Sequence, residues 1–209
     1  MLKNKRIIVS IVLSIIFIII AIFVSTKSNL VIDEKIYNII SLFHSDNATK
    51  FFKIVTYLGN AKFIGICCLI LLIVPKFRNN VGLPITLSAL LTSILNVLLK
   101  NIFSRQRPLL EQLVYEESFS FPSGHSMVTA AIYSMLIYLA CKNIKNIKIK
   151  YAVSIISCCI IFLVGISRIY LRVHYFSDVL AGWILGIAVT LIYSIIFEKI
   201  KIKRINDDV

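Results

Sequence analysis

The chain has 209 residues, 58% of them hydrophobic, with a mean hydropathy of +0.89 and a formal net charge of +13. Soluble domains average about 45–50% apolar, so this composition argues for a polytopic helical membrane protein, with a soluble helical bundle as the alternative. The basic residues cluster in short loops between apolar runs, which is a topology signal rather than a nucleic-acid-binding face, and no nucleic-acid partner is expected.

In chain order, Lys3, Lys5 and Arg6 precede an uncharged run over residues 7–24. That run exceeds the ~7–15-residue core of a secretory signal, and no small-residue cleavage site follows, so it reads as a retained signal-anchor helix. Residues 36–57 mix polar and apolar positions. Ile36, Ile39, Ile40 and Phe43, then Phe51, Phe52, Ile54 and Val55, fit either interfacial helices or a packed loop. His44 in this stretch reads as a solvated loop residue. A second span near residues 61–74 stops at Pro75. It holds Lys62, which either snorkels to the interface or belongs to a tilted helix starting before Thr56.

The third span is near residues 81–99, with Pro84 in its first turn, where proline is tolerated. The fourth begins at Pro122 and runs to about Ala140, the fifth covers residues 151–166, and the sixth residues 176–197. This gives an all-α bundle of six membrane helices forming one domain over residues 1–209. Gly182 and Gly186 make a G-x-x-x-G pair, expected to pack within the bundle more than to dimerise it. Cys67, Cys68, Cys141, Cys158 and Cys159 show no disulfide or zinc spacing and read as small buried hydrophobes.

Alternating helices place four basic groups on one side: the Lys3–Arg6 segment, Lys76 with Arg78, Lys142 through Lys150, and the tail with Lys199, Lys201, Lys203 and Arg204. The positive-inside rule makes that side cytoplasmic, with both termini. Three polar segments then share the outer face.

The first is Lys100 with Arg107-Pro108. Their seven-residue separation is about two helical turns and puts both cations on one face if the segment stays helical. Guanidinium forks and lysine point charges suit phosphate oxygens. Arg105 between them reads as a headgroup or solvent contact. The second is Pro122-Ser123-Gly124-His125. Proline suits a helix start, Ser123 can cap or donate to an oxyanion, and Gly124 admits close approach at a positive helix end. A helix cap alone does not explain His125 at the membrane edge. The third is Ser167-Arg168 with His174 and Asp178. The i, i+4 pair shares a helical face, and a carboxylate on one ring nitrogen leaves the other as a nucleophile. A carboxylate inside an apolar run costs about 2.5–3.5 kcal/mol and implies function, the alternative being a structural Arg168–Asp178 ion pair. Tyr170 and Arg172 receive no role.

The ordered pattern Lys100-x6-Arg107-Pro108, Pro122-Ser123-Gly124-His125 and Ser167-Arg168-x5-His174-x3-Asp178 resembles the type 2 phosphatidic acid phosphatase (PAP2) superfamily. Every motif position matches, and the stretch Glu116-Glu117-Ser118-Phe119-Ser120-Phe121 is most similar to bacterial members. The resemblance implies a PAP2/haloperoxidase-like bundle. It also implies a metal-independent lipid phosphatase that needs no cofactor. His174 would attack phosphorus, Asp178 would orient it, and His125 would serve as acid and base. Lys100, Arg107, Ser123, Gly124 and Arg168 would bind the phosphoryl oxygens. The expected partners are the bilayer and a lipid phosphate or pyrophosphate, with undecaprenyl pyrophosphate and phosphatidylglycerophosphate foremost. No obligate protein partner is evident. Two other readings stay open: a non-enzymatic anion or lipid-phosphate transporter, which has no need of the His–Asp pair, and a vanadate haloperoxidase, which would need a soluble scaffold.

Overall fold

Long uncharged runs can satisfy their backbone in lipid only as helices or closed barrels. A computed structural model of the chain resolves the choice as helices. It describes residues 2–27 and 30–207, with side chains for 3–27 and 30–200. Lys201, Lys203 and Arg204, counted in the basic tail, lie outside the described side chains.

The helices are α1 (Leu2–Thr26), α2 (Val31–Ser41), α3 (Asp46–Thr56), α4 (Ala61–Ile73), a short α5 (Pro75–Phe77), α6 (Leu83–Phe103), α7 (Gly124–Asn143), α8 (Ile147–Tyr170) and α9 (Phe176–Asp207). Among the described residues, α1, the α5–α6 run, α7, α8 and α9 are each long and apolar enough to span a membrane. α3 and α4 qualify only as a pair and bend by 47° at the break between them, the geometry of a broken sixth span or of a re-entrant loop. The break falls at Asn60, whose side chain caps α4 by accepting from Lys62 N at 2.9 Å. Residues 36–57 are thus largely helical, and α2 and α3 pack on α8 and α9 instead of forming an irregular loop. As expected, the second span stops before Pro75: α4 ends at Ile73, and Val74 is extended. Pro75 then opens α5, which continues through a π-helical turn (Arg78–Gly82) into α6. The fifth span starts earlier than expected because Asn146 caps α8, accepting from Lys148 N and Ile149 N.

The centre of the bundle is α9, packed against α7 and α1, with α8 and α6 flanking α7. Gly182 and Gly186 face α7. A Cβ on Gly186 would stand 2.3 Å from the Met127 carbonyl oxygen, so the G-x-x-x-G pair serves packing inside the bundle. Trp183 fills the notch left by Gly165 and donates from Nε1 to Ile161 O at 3.1 Å. Outward-facing positions carry large apolar side chains, among them Ile8, Ile11 and Ile15 on α1 and Ile155, Ile156 and Phe162 on α8. An apolar belt of this extent is covered by lipid. It also corrects the cysteine reading: only Cys68 is buried, whereas Cys141, Cys158 and Cys159 face outward.

At one end of the bundle Glu198 of α9 holds Arg6 of α1, and Lys142 of α7 at 2.9 Å. Three of the basic groups assigned to one side therefore meet at one end of the molecule. The motif residues gather at the opposite end.

Candidate active site

Helix α6 ends because Ser104 adopts a left-handed conformation, φ 45°, with its N–H on Lys100 O at 2.9 Å. Lys100 and Arg107 consequently do not share a helical face. The chain turns back after Ser104, and both cations converge on residues 118–119 from different directions. Lys100 Nζ donates to Ser118 Oγ at 3.3 Å and to Phe119 O. Arg107 donates from Nε to Ser118 O at 2.7 Å and from Nη1 to Val173 O at 2.6 Å. The same Nη1 lies 3.3 Å from His174 Nε2.

His174 precedes α9 in the short turn after α8, anchored by its N–H on Arg168 O at 3.3 Å. Its ring is buried, and its two nitrogens face different surroundings. Nε2 faces Arg107 and the cavity described below. Nδ1 faces Ser120 Oγ at 3.3 Å and Asp178 Oδ2 at 3.5 Å. Burial first, then the positive charges of Arg107, Lys100 and Arg168, push the imidazole pKa well below its ordinary value. Burial likewise lowers the Arg107 pKa, with Glu116 and Asp178 opposing.

Asp178 is fully buried and accepts from Tyr175 N at 2.9 Å, from Ser120 Oγ, and from Arg105 Nη1 at 2.5 Å. Arg105 is therefore neither a headgroup nor a solvent contact. Its position just past the end of α6 points it inward, where it also donates to Ser177 Oγ at 2.8 Å and to Asp33 Oδ2 of α2 at 2.9 Å. The Arg168–Asp178 pair considered from sequence is replaced: Arg168, 1% exposed, pairs with Glu116 and donates to Thr56 Oγ1 at 2.7 Å.

Helix α7 begins at Gly124, two residues after Pro122, because Ser123 is its N-cap and accepts from Ser126 N. The Ser123 hydroxyl is fully buried against Ser126 Oγ at 2.9 Å, and its N–H bonds Asp178 O at 3.1 Å. Ser123 thus ties the start of α7 to the start of α9. Gly124 is needed for close packing, since a Cβ there would meet Asn96 Oδ1 at 2.9 Å.

A cavity of about 510 Å³ joins these parts. Its polar end is lined by Lys100, Arg107, Glu116, Gly124, His125 and His174. It continues between α4 and α6 past Cys68, Leu69 and Leu72. His125 and His174, carried by different elements, therefore face one space. A neighbouring cavity of about 270 Å³ is lined by His125, Glu116, Arg168 and Lys53. Among the described residues no three His, Cys, Asp or Glu side chains converge as a metal site would require.

Sequence reasoning missed Asp33, gave Glu116 and Ser120 no role, and misread Arg105. It also misread His44, which packs edge-on to Tyr170 at 4.4 Å and faces Arg172 Nη2 at 3.1 Å. Arg172 reaches it from a left-handed backbone, φ 62°.

A sequence profile of the PAP2 superfamily matches residues 81–202, more than half the chain. Phosphatidylglycerophosphatase B of Bacillus subtilis (strain 168) is 46% identical over 109 residues, 52% of this chain and 54% of that protein. An undecaprenyl-diphosphatase of Sulfolobus acidocaldarius is 29% identical over 124 residues, 56% of this chain and 55% of that one. The chain thus aligns with about half the length of these curated relatives. The crystal structure of a transmembrane PAP2-type phosphatidylglycerolphosphate phosphatase from Bacillus subtilis superposes with a TM-score of 0.82 at 34% identity, covering 91% of this chain and 96% of that one. With three ordered motifs meeting at one end of a membrane bundle, the chain belongs to the PAP2 superfamily.

Proposed function

We propose that this protein is a membrane lipid phosphatase that removes a terminal phosphate from a lipid phosphate or pyrophosphate by way of a phosphohistidine. One observation carries the proposal: two histidines from different elements line a single cavity that is cationic at one end and apolar along the other. The cationic end suits a phosphoryl group, whose transition state spreads charge over its equatorial oxygens. The apolar end suits a lipid chain.

The His174 Nε2 lone pair attacks phosphorus, and the bond from phosphorus to the leaving oxygen breaks. His125 gives that oxygen its proton. Asp178, on the Nδ1 side, holds the tautomer and offsets the positive charge that develops on the ring. The 3.5 Å separation suits a contact that tightens in the transition state. Water then attacks the phosphohistidine, His125 takes its proton, and phosphate leaves with His174 restored. Lys100, Arg107 and Arg168 supply the cations, and the Gly124 backbone at the start of α7 adds amide donors. Ser123 contributes by capping α7 and fixing it to α9.

The favoured substrates are phosphatidylglycerophosphate and undecaprenyl pyrophosphate, which follow from the named relatives and fit the apolar groove. The basic end is assigned to the cytoplasm and the site to the outer face. Phosphate release by purified protein from a panel of lipid phosphates, against a matched water-soluble phosphate, tests the proposal. His174→Ala is expected to abolish release while the protein remains folded, and His125→Ala to slow it by about 10²–10⁴-fold, because both steps lose their proton carrier. Release that survives His174→Ala would remove the nucleophile and the mechanism with it.

A further inference from the structure

A buried chain of alternating charge lies behind the His174–Asp178 pair, reaching it from outside the matched family segment. Asp33 of α2, 3% exposed, accepts from Ser177 N at 2.7 Å, from Ser177 Oγ at 2.8 Å, and from Arg105 Nη2 at 2.9 Å. Arg105, 7% exposed, offers its other terminal nitrogen to Asp178 at 2.5 Å, and its guanidinium stacks over the Tyr175 ring at 4.0 Å. Asp33 lies well before residue 81, where the family match begins.

An Arg105–Asp178 pair on its own would hold the carboxylate in place but cancel its charge. Asp178 would then do little to stabilise a cation on His174. A second carboxylate on the far side of the guanidinium changes the sum. Asp33, Arg105 and Asp178 together carry one net negative charge, directed at the imidazole.

We infer that Asp33 and Arg105 are positioning residues for the proposed phosphatase reaction: Arg105 fixes the Asp178 carboxylate, and Asp33 neutralises Arg105 so that Asp178 keeps its charge for His174. This inference rests on the phosphatase reading. The clamp also explains why α2 packs on α9 beside the site. The other titratable and charged groups facing His174 are Arg107, Lys100, Arg168 and, across the shared cavity, His125, with Glu116 beyond them, whereas the bonds of Asp33 go to Arg105 and Ser177.

The test is a charge cycle in the full-length protein, read as kcat, KM and the acid limb of the pH profile. Asp33→Asn removes one negative charge, destabilises the His174 cation, and should lower kcat about 10-fold with KM little changed, the rate equivalent of about one pKa unit of lost stabilisation. The acid limb should move down by about one pH unit. Arg105→Gln should move that limb up, because two carboxylates then act unopposed. The double variant restores the net charge, so its limb should return toward the unmodified position. A purely structural role predicts no such cancellation, because the double variant would then be the worst of the three. Unchanged kcat and pH profile in Asp33→Asn would overturn the inference. So would activity losses that merely follow the folded fraction. If Asp33→Asn does not fold, Arg105→Gln and the double variant still decide the sign of the shift. An unmodified protein that releases no phosphate from any lipid would defeat the phosphatase reading itself, and the clamp with it.

Discussion

Replacing Gly186 with alanine should damage the proposed site from a distance. Gly186 sits on α9 where that helix crosses α7, and an added Cβ would fall 2.3 Å from Met127 O, 3.0 Å from Ala130 Cβ and 3.1 Å from Ala131 N. The first of these is a backbone oxygen, which cannot rotate away. Restoring an ordinary contact of about 3.4 Å requires α7 and α9 to separate by about 1 Å. Overpacking of this kind costs about 1–3 kcal/mol. The same two helices carry His125 and Asp178, joined by the 3.1 Å bond from Ser123 N to Asp178 O. A misplacement of about 1 Å in a reacting constellation can cost 10²-fold in rate. Gly186→Ala should therefore lower the Tm in detergent and reduce kcat by about 10²-fold per folded molecule. Gly65→Ala is the stability control: a Cβ there meets nothing within 4 Å, and the change should leave Tm unchanged or raise it, since alanine favours helix by about 0.5–1 kcal/mol. Gly186→Ala with normal Tm and normal turnover would refute the packing argument.

The depressed pKa of His174 fixes the sign of a pH prediction. A lowered pKa keeps the imidazole neutral and nucleophilic below its usual titration point, so the acid limb of kcat/KM should lie below about pH 6.5; a limb at or above that value contradicts the burial argument. Glu116→Gln removes the carboxylate that occupies Arg168 and lies 3.7 Å from Arg107. Inorganic phosphate should then inhibit about 10-fold more strongly, reflecting roughly 1.4 kcal/mol less competition for those guanidiniums. Excess EDTA should leave phosphate release unchanged, because Lys100, Arg107 and Arg168 supply the positive charge that a metal otherwise would; loss of activity restored by Mg²⁺ would contradict this. Tyr170→Phe removes the bonds from the buried hydroxyl to Ser45 and Thr49 and should lower stability by about 1 kcal/mol, measured by thermal unfolding.

The sequence determined the class and the cast. Long apolar runs admit only helices in lipid, so an all-α membrane bundle followed from composition and run length. The motif residues were legible because each departs from an apolar background: Asp178 in a hydrophobic helix, His125 at a membrane edge, His174 four residues before its carboxylate. Tertiary structure decided what those residues touch. The left-handed turn at Ser104 took Arg107 off the α6 face, and no spacing rule shows a single φ reversal in advance. Arg105 looked like any basic flanking residue until α2 brought Asp33 against it across 72 positions of sequence. Glu116 and Ser120 lie in a loop without periodicity, and they reach Arg168 of α8 and Asp178 of α9 only once the bundle has packed. Side-chain periodicity reports which face is apolar, whereas the pairing of buried charges depends on which helix ends the bundle brings together. The first is a local property of the chain, and the second exists only once the helices have packed.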